Sequence, residues 1–260
     1  MKLNKSNYYS YEANQEYVSY SQLKSFSQCE ARCIAELRGE FEREETTALL
    51  VGSYIDSYFD GEKAFGKFKV DHPEIFKRDG TLKAEYENAD EIIKRIERDK
   101  FFRSYLRGRR QVIMTGKIFG VPVKIKIDSL HKDKIVDGKV MKDSLDIWSD
   151  NECCKVPFWR FYKYDWQAFI YQEIVRQNTG KQLPFYNAVA TKEKGIGLHI
   201  CKYSEDTIRN AGIEVGSIIN RLYEAKKYCM NGNDFLLNRC CNCEYCRSTK
   251  VLTKDDVEVI

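Results

Sequence analysis

At 260 residues, 43% of them hydrophobic, the chain is long enough to bury a substantial core, as one ordinary domain or one with an appended lobe. A net charge of +4 with 32% charged residues is only mildly basic and permits nucleic-acid binding without requiring it. No apolar run approaches the roughly eighteen residues of a membrane span, and Met1–Ser6 lead into polar, tyrosine-rich sequence, so the expectation is a cytoplasmic protein with no membrane partner.

Along the chain, Ser19 and Gln22 have the spacing of a capping box. Leu23, Phe26, Cys29 or Glu30, Cys33 and Leu37 recur at helical intervals, which predicts a helix starting near Ser19. A second helix is predicted over 49–59. Residues 62–83 read as irregular, with turns at Asp71, His72 and Pro73 and at Asp79 and Gly80. A third helix spans 84–106, with Tyr86, Ala89, Ile92, Ile93 and Ile96 inward and its charges outward. Arg107, Arg109 and Arg110, and Lys192 with Lys194, are candidate phosphate contacts; a solvated charged turn explains each cluster equally well.

Residues 111–139 read as a three-strand meander. Val123, Ile125 and Ile127 alternate with Lys124, Lys126 and Asp128, which is the period of a strand and sets Asp128 opposite the apolar residues. The next strand starts at Ile135 and Val136 and carries Asp137, Gly138 and Lys139. An Asp-x-Lys triplet alone is common in solvated hairpins and means little. A tight hairpin, however, brings Asp128 beside Asp137, and two close carboxylates repel unless a cation lies between them. Mg²⁺ is commonly held by one or two carboxylates with phosphate oxygens and water. A neighbouring lysine can steady developing negative charge. That set suits phosphodiester hydrolysis.

Residues 158–178 read as helical, placing Tyr164, Gln167 and Tyr171 on one face and Trp166 and Phe169 in the core. A hairpin over 185–191 and 196–203 follows, then a long helix opened by Ser204, Glu205 and Asp206 and ending near Asn231 and Gly232. Ten cysteines without a secretion signal argue for thiols or metal and against disulfides. Cys240, Cys243 and Cys246 make a C-x₂-C-x₂-C that can aim three thiolates at one centre, with Cys29, or failing that Cys33, as the fourth. The spacing admits zinc, an iron–sulfur cluster or reduced thiols.

These segments together resemble the PD-(D/E)XK nuclease superfamily, in its RecB-like and phage-type exonuclease branch. Residues 18–29 resemble the opening helix of that branch. Residues 50–56 resemble its first motif, in which a histidine often follows the glycine; here the ligand position is Asp56. Asp128, Asp137 and Lys139 match the acidic core, and residues 164–171 match the later helix that carries a glutamine and a tyrosine. Gly138 stands where an apolar residue is usual, and Val140 where threonine is common.

The resemblance spans about residues 18–250 and implies an α/β restriction-endonuclease-like core, a central mixed sheet flanked by helices. It implies a single nuclease domain over 1–260, divided into an N-terminal helical part (18–110), a catalytic sheet and helix (111–203), and a C-terminal helix with a cysteine-rich tail (204–260). It makes the chain a Mg²⁺- or Mn²⁺-dependent exodeoxyribonuclease of phage or mobile-element recombination, with Asp56, Asp128, Asp137 and the Gly138 carbonyl as metal ligands. Asp128, Asp137, Lys139, Gln167 and Tyr171 are then catalytic. Cys29, Cys240, Cys243 and Cys246 would bind a [4Fe–4S] cluster, zinc being the alternative. Expected partners are linear duplex or single-stranded DNA ends, a second copy of the chain, and a single-strand annealing protein. The competing reading is a non-catalytic nucleic-acid-binding module with a C-terminal zinc or iron–sulfur site.

Overall fold

Short polar caps set where the N-terminal helices begin. In the computed structural model, which describes residues 1–44, 46–150 and 152–254, Ser10 accepts the Ala13 N–H to open α1 (Tyr11–Glu16). Ser19 and Gln22 form the full reciprocal box that opens α2 (Tyr20–Gln28). The helix expected to run on through Leu37 breaks at Cys29, whose extended backbone (φ −163°, ψ 110°) separates α2 from α3 (Glu30–Arg38). Apolar spacing does not report the break, because Leu23 and Phe26 before it and Cys33 and Ile34 after it are all buried.

Thr46 caps α4 (Thr47–Phe59), as the sequence predicts to within two residues. The stretch expected to be irregular instead holds α5 (Glu62–Asp71) and a 3₁₀ turn at Pro73–Ile75. No α5 residue is fully buried, so it lacks a strong apolar stripe, although Phe65 and Phe68 lie edge-on to Tyr54. The helix expected over 84–106 is two, α6 (Ala84–Arg98) and α7 (Lys100–Leu106). Asp99 leaves helical backbone and its side chain caps the Phe102 N–H at 2.9 Å.

The meander is present as β1 (Arg109–Ile118), β2 (Val121–Leu130) and β3 (Ile135–Met141). A short hairpin that the sequence did not suggest, β4 (Ile147–Ser149) with β5 (Cys154–Val156), precedes α8 (Phe158–Phe161) and α9 (Tyr164–Thr179). Lys163, in left-handed backbone at φ 59°, splits what reads as one helix over 158–178. Then come β6 (Phe185–Thr191), β7 (Leu198–Lys202), α10 (Glu205–Met230) and α11 (Glu244–Ser248).

The central sheet has the order β1-β2-β3-β6-β7 and is mixed: β3 runs parallel to β6 and antiparallel to β2, and β6 runs antiparallel to β7. By chain contacts two units form. One comprises Glu44–Gly116 and Lys124–Ile213; here Val136, Ala188 and Ala190 pack with α4, α6 and α7 on one sheet face, while α9 sets Tyr171 edge-on to Phe185. The other comprises Met1–Arg43, Lys117–Val123 and the chain from Glu214 on. In it the buried Lys226 ammonium donates to the Tyr17 carbonyl at 2.7 Å and to Gln22 Oε1 at 3.1 Å. Glu30, also buried, takes both arms of the Arg221 guanidinium at 2.7 Å each. No helix among the described residues is long and apolar enough to cross a membrane.

Candidate active site

A fork between β2 and β3 makes the site. The strands pair Ser129 with Val136 and Leu130 with Ile135, and continuing that register sets Asp128 opposite Asp137. The Ile135 N–H turns to the β6 side, donating to the Pro184 carbonyl at 2.9 Å. Alternation along the strand then turns Val136 and Gly138 towards β2. At Gly138 the acceptor is a side chain: Asp128 Oδ2 takes the Gly138 N–H at 3.3 Å. The Gly138 carbonyl faces the same fork. From α4, Asp56 Oδ1 lies 3.7 Å from where a Cβ on Gly138 would sit. Two carboxylates therefore bracket Gly138, and the third belongs to the residue before it.

That third carboxylate is closely held. Asp137 Oδ1 accepts Gln167 Nε2 at 2.6 Å, and Oδ2 accepts Lys139 Nζ at 2.5 Å and Asn187 Nδ2 at 3.2 Å. Burial, then the charge on Asp137, pushes the Asp56 carboxyl up to about 7, against the pull of Arg110 and Lys139. Asp128 is raised well above the carboxylate range by burial, then by Asp137 and Asp56. For Lys139 burial acts downward, but Asp137, then the neighbouring Tyr164 and Asp128, outweigh it and hold the ammonium charged. Its Nζ sits 4.8 Å over the Tyr164 ring.

Three carboxylates thus face Lys139 and an Arg110 already shared with Asp60, whose Oδ1 lies 2.8 Å from the guanidinium. The donor set is all oxygen and fits a hard divalent cation. Gln167 Oε1 agrees with this: it is buried beside Asp137 and, among the described residues, bonds to nothing, which leaves it able to accept from a water held there. The acidic trio is open, since among the described residues only a cysteine quartet brings three or more candidate ligand atoms within 4.8 Å of one another.

Asp56, Asp128, Asp137, Gly138, Lys139 and Gln167 are therefore brought together. Tyr171 is not. Its hydroxyl donates to the Lys126 carbonyl at 3.1 Å and its ring is buried against Phe185, so it braces β2 from behind. Two residues the sequence did not single out join the site. Asn187 is fully buried on Asp137, and Tyr203 donates to Asn187 Oδ1 at 2.5 Å. Their significance depends on β3–β6 and β6–β7 register, for which the sequence has no signal.

The cysteine quartet is Cys29, Cys240, Cys243 and Cys246. Cys29 and Cys246 sulfurs are 3.5 Å apart, and Cys240 and Cys246 sulfurs 3.9 Å. Burial raises the Cys240 thiol, but the Asn242 and Cys243 N–H groups outweigh it and bring the thiol down to about 6. Burial lifts Cys243 to about 12. Cys33 is excluded, its thiol turned to the Gln22 carbonyl at 3.4 Å, and Cys241 is exposed.

A family described as a PDDEXK-like domain of unknown function matches residues 19–249. The chain belongs to this family. The crystal structure of a "putative exonuclease" from Eubacterium rectale is similar to this PDDEXK-like protein with a TM-score of 0.90 and 44% sequence identity, over 98% of this chain and 96% of that one. No curated protein matches. The fork at Gly138 thus lies in a nuclease-type core, a mixed α/β sheet flanked by helices.

Proposed function

We propose that this chain is a Mg²⁺- or Mn²⁺-dependent deoxyribonuclease that degrades linear DNA from its ends. The observation that carries the reading is that Asp56 and Asp128 bracket Gly138, where the strands part, while its two chain neighbours, Asp137 and Lys139, are ion-paired at 2.5 Å. Asp56, Asp128, Asp137 and the Gly138 carbonyl would hold the ion. When bound, such an ion neutralises charge on the scissile phosphate and acidifies water. Lys139, kept charged beside Asp137, orients the attacking water and steadies the negative charge that develops on phosphate oxygens. The Gln167 carbonyl oxygen would accept a hydrogen bond from that water while its amide keeps Asp137 in place. Exonuclease action draws support from the Eubacterium rectale neighbour. A role in phage or mobile-element recombination, self-assembly and an annealing partner rest on the family resemblance.

For the four thiolates we propose one zinc ion. Tetrahedral thiolates at ~2.3 Å from zinc lie about 3.8 Å apart, close to the 3.5 and 3.9 Å separations in the quartet. A four-iron core sets an iron beneath each thiolate and spreads the sulfurs wider.

Incubation with linear and closed circular DNA tests the nuclease. Linear DNA should disappear with Mg²⁺ or Mn²⁺, circular DNA should persist, and chelator should stop the reaction. Asp128→Asn and Lys139→Ala should each lower the rate by about 10²-fold or more. Wild-type cleavage by folded Asp128→Asn would refute the assignment and favour a module that binds nucleic acid without cutting it.

A further inference from the structure

Hydrogen bonds join Asp137 on β3, Asn187 on β6 and Tyr203, one residue past the end of β7. Asp137 and Asn187 are register partners on the parallel strands β3 and β6. Asn187 pairs with Cys201 on β7, and Tyr203 follows just past the end of that strand. The polar chain is continuous: Tyr203 O–H to Asn187 Oδ1 at 2.5 Å, then Asn187 Nδ2 to Asp137 Oδ2 at 3.2 Å. Asn187 is fully buried, and Trp159 and Phe185 lie against the Tyr203 ring.

Each link has one workable direction. The carboxylate of Asp137 only accepts, so the Asn187 amide must offer it Nδ2. That orientation leaves Asn187 Oδ1 facing Tyr203, which must then donate. Were the amide reversed, two oxygens would meet in a buried site. The Asp137 carboxylate therefore selects the amide orientation, and the Tyr203 hydroxyl holds the amide there by donating to Oδ1.

The consequence for Asp137 follows from counting. A carboxylate has about four acceptor directions. Gln167, Lys139 and Asn187 occupy three, leaving about one. Gln167 comes from α9 and Lys139 from the strand of Asp137 itself. Asn187 is the donor fixed by the neighbouring strand; with Lys139 it fills Oδ2, so the remaining direction lies on Oδ1, beside Gln167.

We propose that Asn187 and Tyr203 are positioning residues, Tyr203 bracing the Asn187 amide and Asn187 filling Asp137 Oδ2 beside Lys139, so that the open acceptor direction stays on Oδ1 and the pair together sets the affinity for the divalent ion. The inference rests on the metal-dependent reading above and adds to it residues that touch neither ion nor DNA. Partners behind a ligand typically govern about 10–100-fold in metal affinity.

Mn²⁺ titration of the full chain without DNA tests this, with bound ion read from loss of the free-ion EPR signal and Asp137→Ala defining the site. Tyr203→Phe removes one oxygen and should weaken Mn²⁺ binding by about 3–10-fold, while Asn187→Leu should weaken it by about 10–100-fold. In cleavage assays the Mn²⁺ requirement should rise for Tyr203→Phe and the rate at saturating Mn²⁺ should recover, which a loss of folded protein would not produce. Circular dichroism and thermal unfolding check the fold; if Asn187→Leu is unfolded, Tyr203→Phe alone decides. Wild-type Mn²⁺ affinity in folded Tyr203→Phe overturns the relay while the metal site stands. Absence of any Mn²⁺ binding that Asp137→Ala removes overturns the metal reading and the relay with it.

Discussion

Gly138→Ala should stabilise the protein, although it alters the residue at the centre of the fork. The backbone there is extended, not left-handed, so alanine brings no strain of its own. Its Cβ would meet Asp56 Oδ1 and Leu106 Cδ2, each at 3.7 Å, which is ordinary van der Waals contact. Below lies a small cavity, lined on its apolar side by Ile55, Phe59, Ile96, Phe102, Leu106 and Ala188. A glycine inside a strand costs roughly 0.5–1 kcal/mol relative to alanine, and burying one methyl contributes about 0.8 kcal/mol. Drier surroundings for Asp56 oppose part of this. A net gain of about 1 kcal/mol is expected, or about 2–4 °C in Tm for a chain of this size. Urea and thermal unfolding with chelator present measure it. Unchanged or lower stability would show that the cavity is not available to a side chain and that the contacts at Gly138 are tighter than 3.7 Å implies.

Stability should also depend on pH in a direction unusual for aspartates. The Asp56 carboxyl rises from 3.8 to about 7 in the fold, and Asp128 is raised too, so the native state binds more protons than the unfolded chain between those limits. The contribution is complete below about pH 4 and is lost as pH climbs through 7. Metal-free protein should melt lower at pH 8 than at pH 5.5 and regain stability at pH 8 with Mn²⁺; the opposite order would contradict the buried acidic cluster. Protein purified anaerobically should contain one zinc per chain, lack visible absorption, and lose that zinc in Cys29→Ser. A brown protein carrying four irons would refute the single-ion reading.

Alternation at Val123, Ile125 and Ile127 was enough to set the phase of Asp128, because a buried strand cannot slip by one residue without exposing its apolar side. Helical spacing likewise put Gln167 on the face that meets Asp137. The same spacing misled at Tyr171. One turn further along α9 the opposite surface is the β2 backbone, so a shared face does not mean a shared cleft. Breaks at Cys29, Asp99 and Lys163 escaped notice because burial continues across them, and apolar periodicity reports burial, not backbone continuity. Asn187 and Tyr203 were illegible for a different reason: a parallel register is set by tertiary packing of the crossover, and nothing local encodes which β6 residue lies beside Asp137.

The break at Cys29 has a consequence for how the protein is made. Its thiol waits for partners, the last of them 217 residues later in the chain. At about 5–20 residues per second, a ribosome needs roughly 10–40 s to cover that interval. Throughout it, Cys29 is a lone thiol on a nascent chain, open to oxidation or to a wrong partner. Only a chain synthesised past Cys246 can satisfy it. A chain released before Cys246 is made lacks one of the four thiols, so the zinc site proposed above could not close on it.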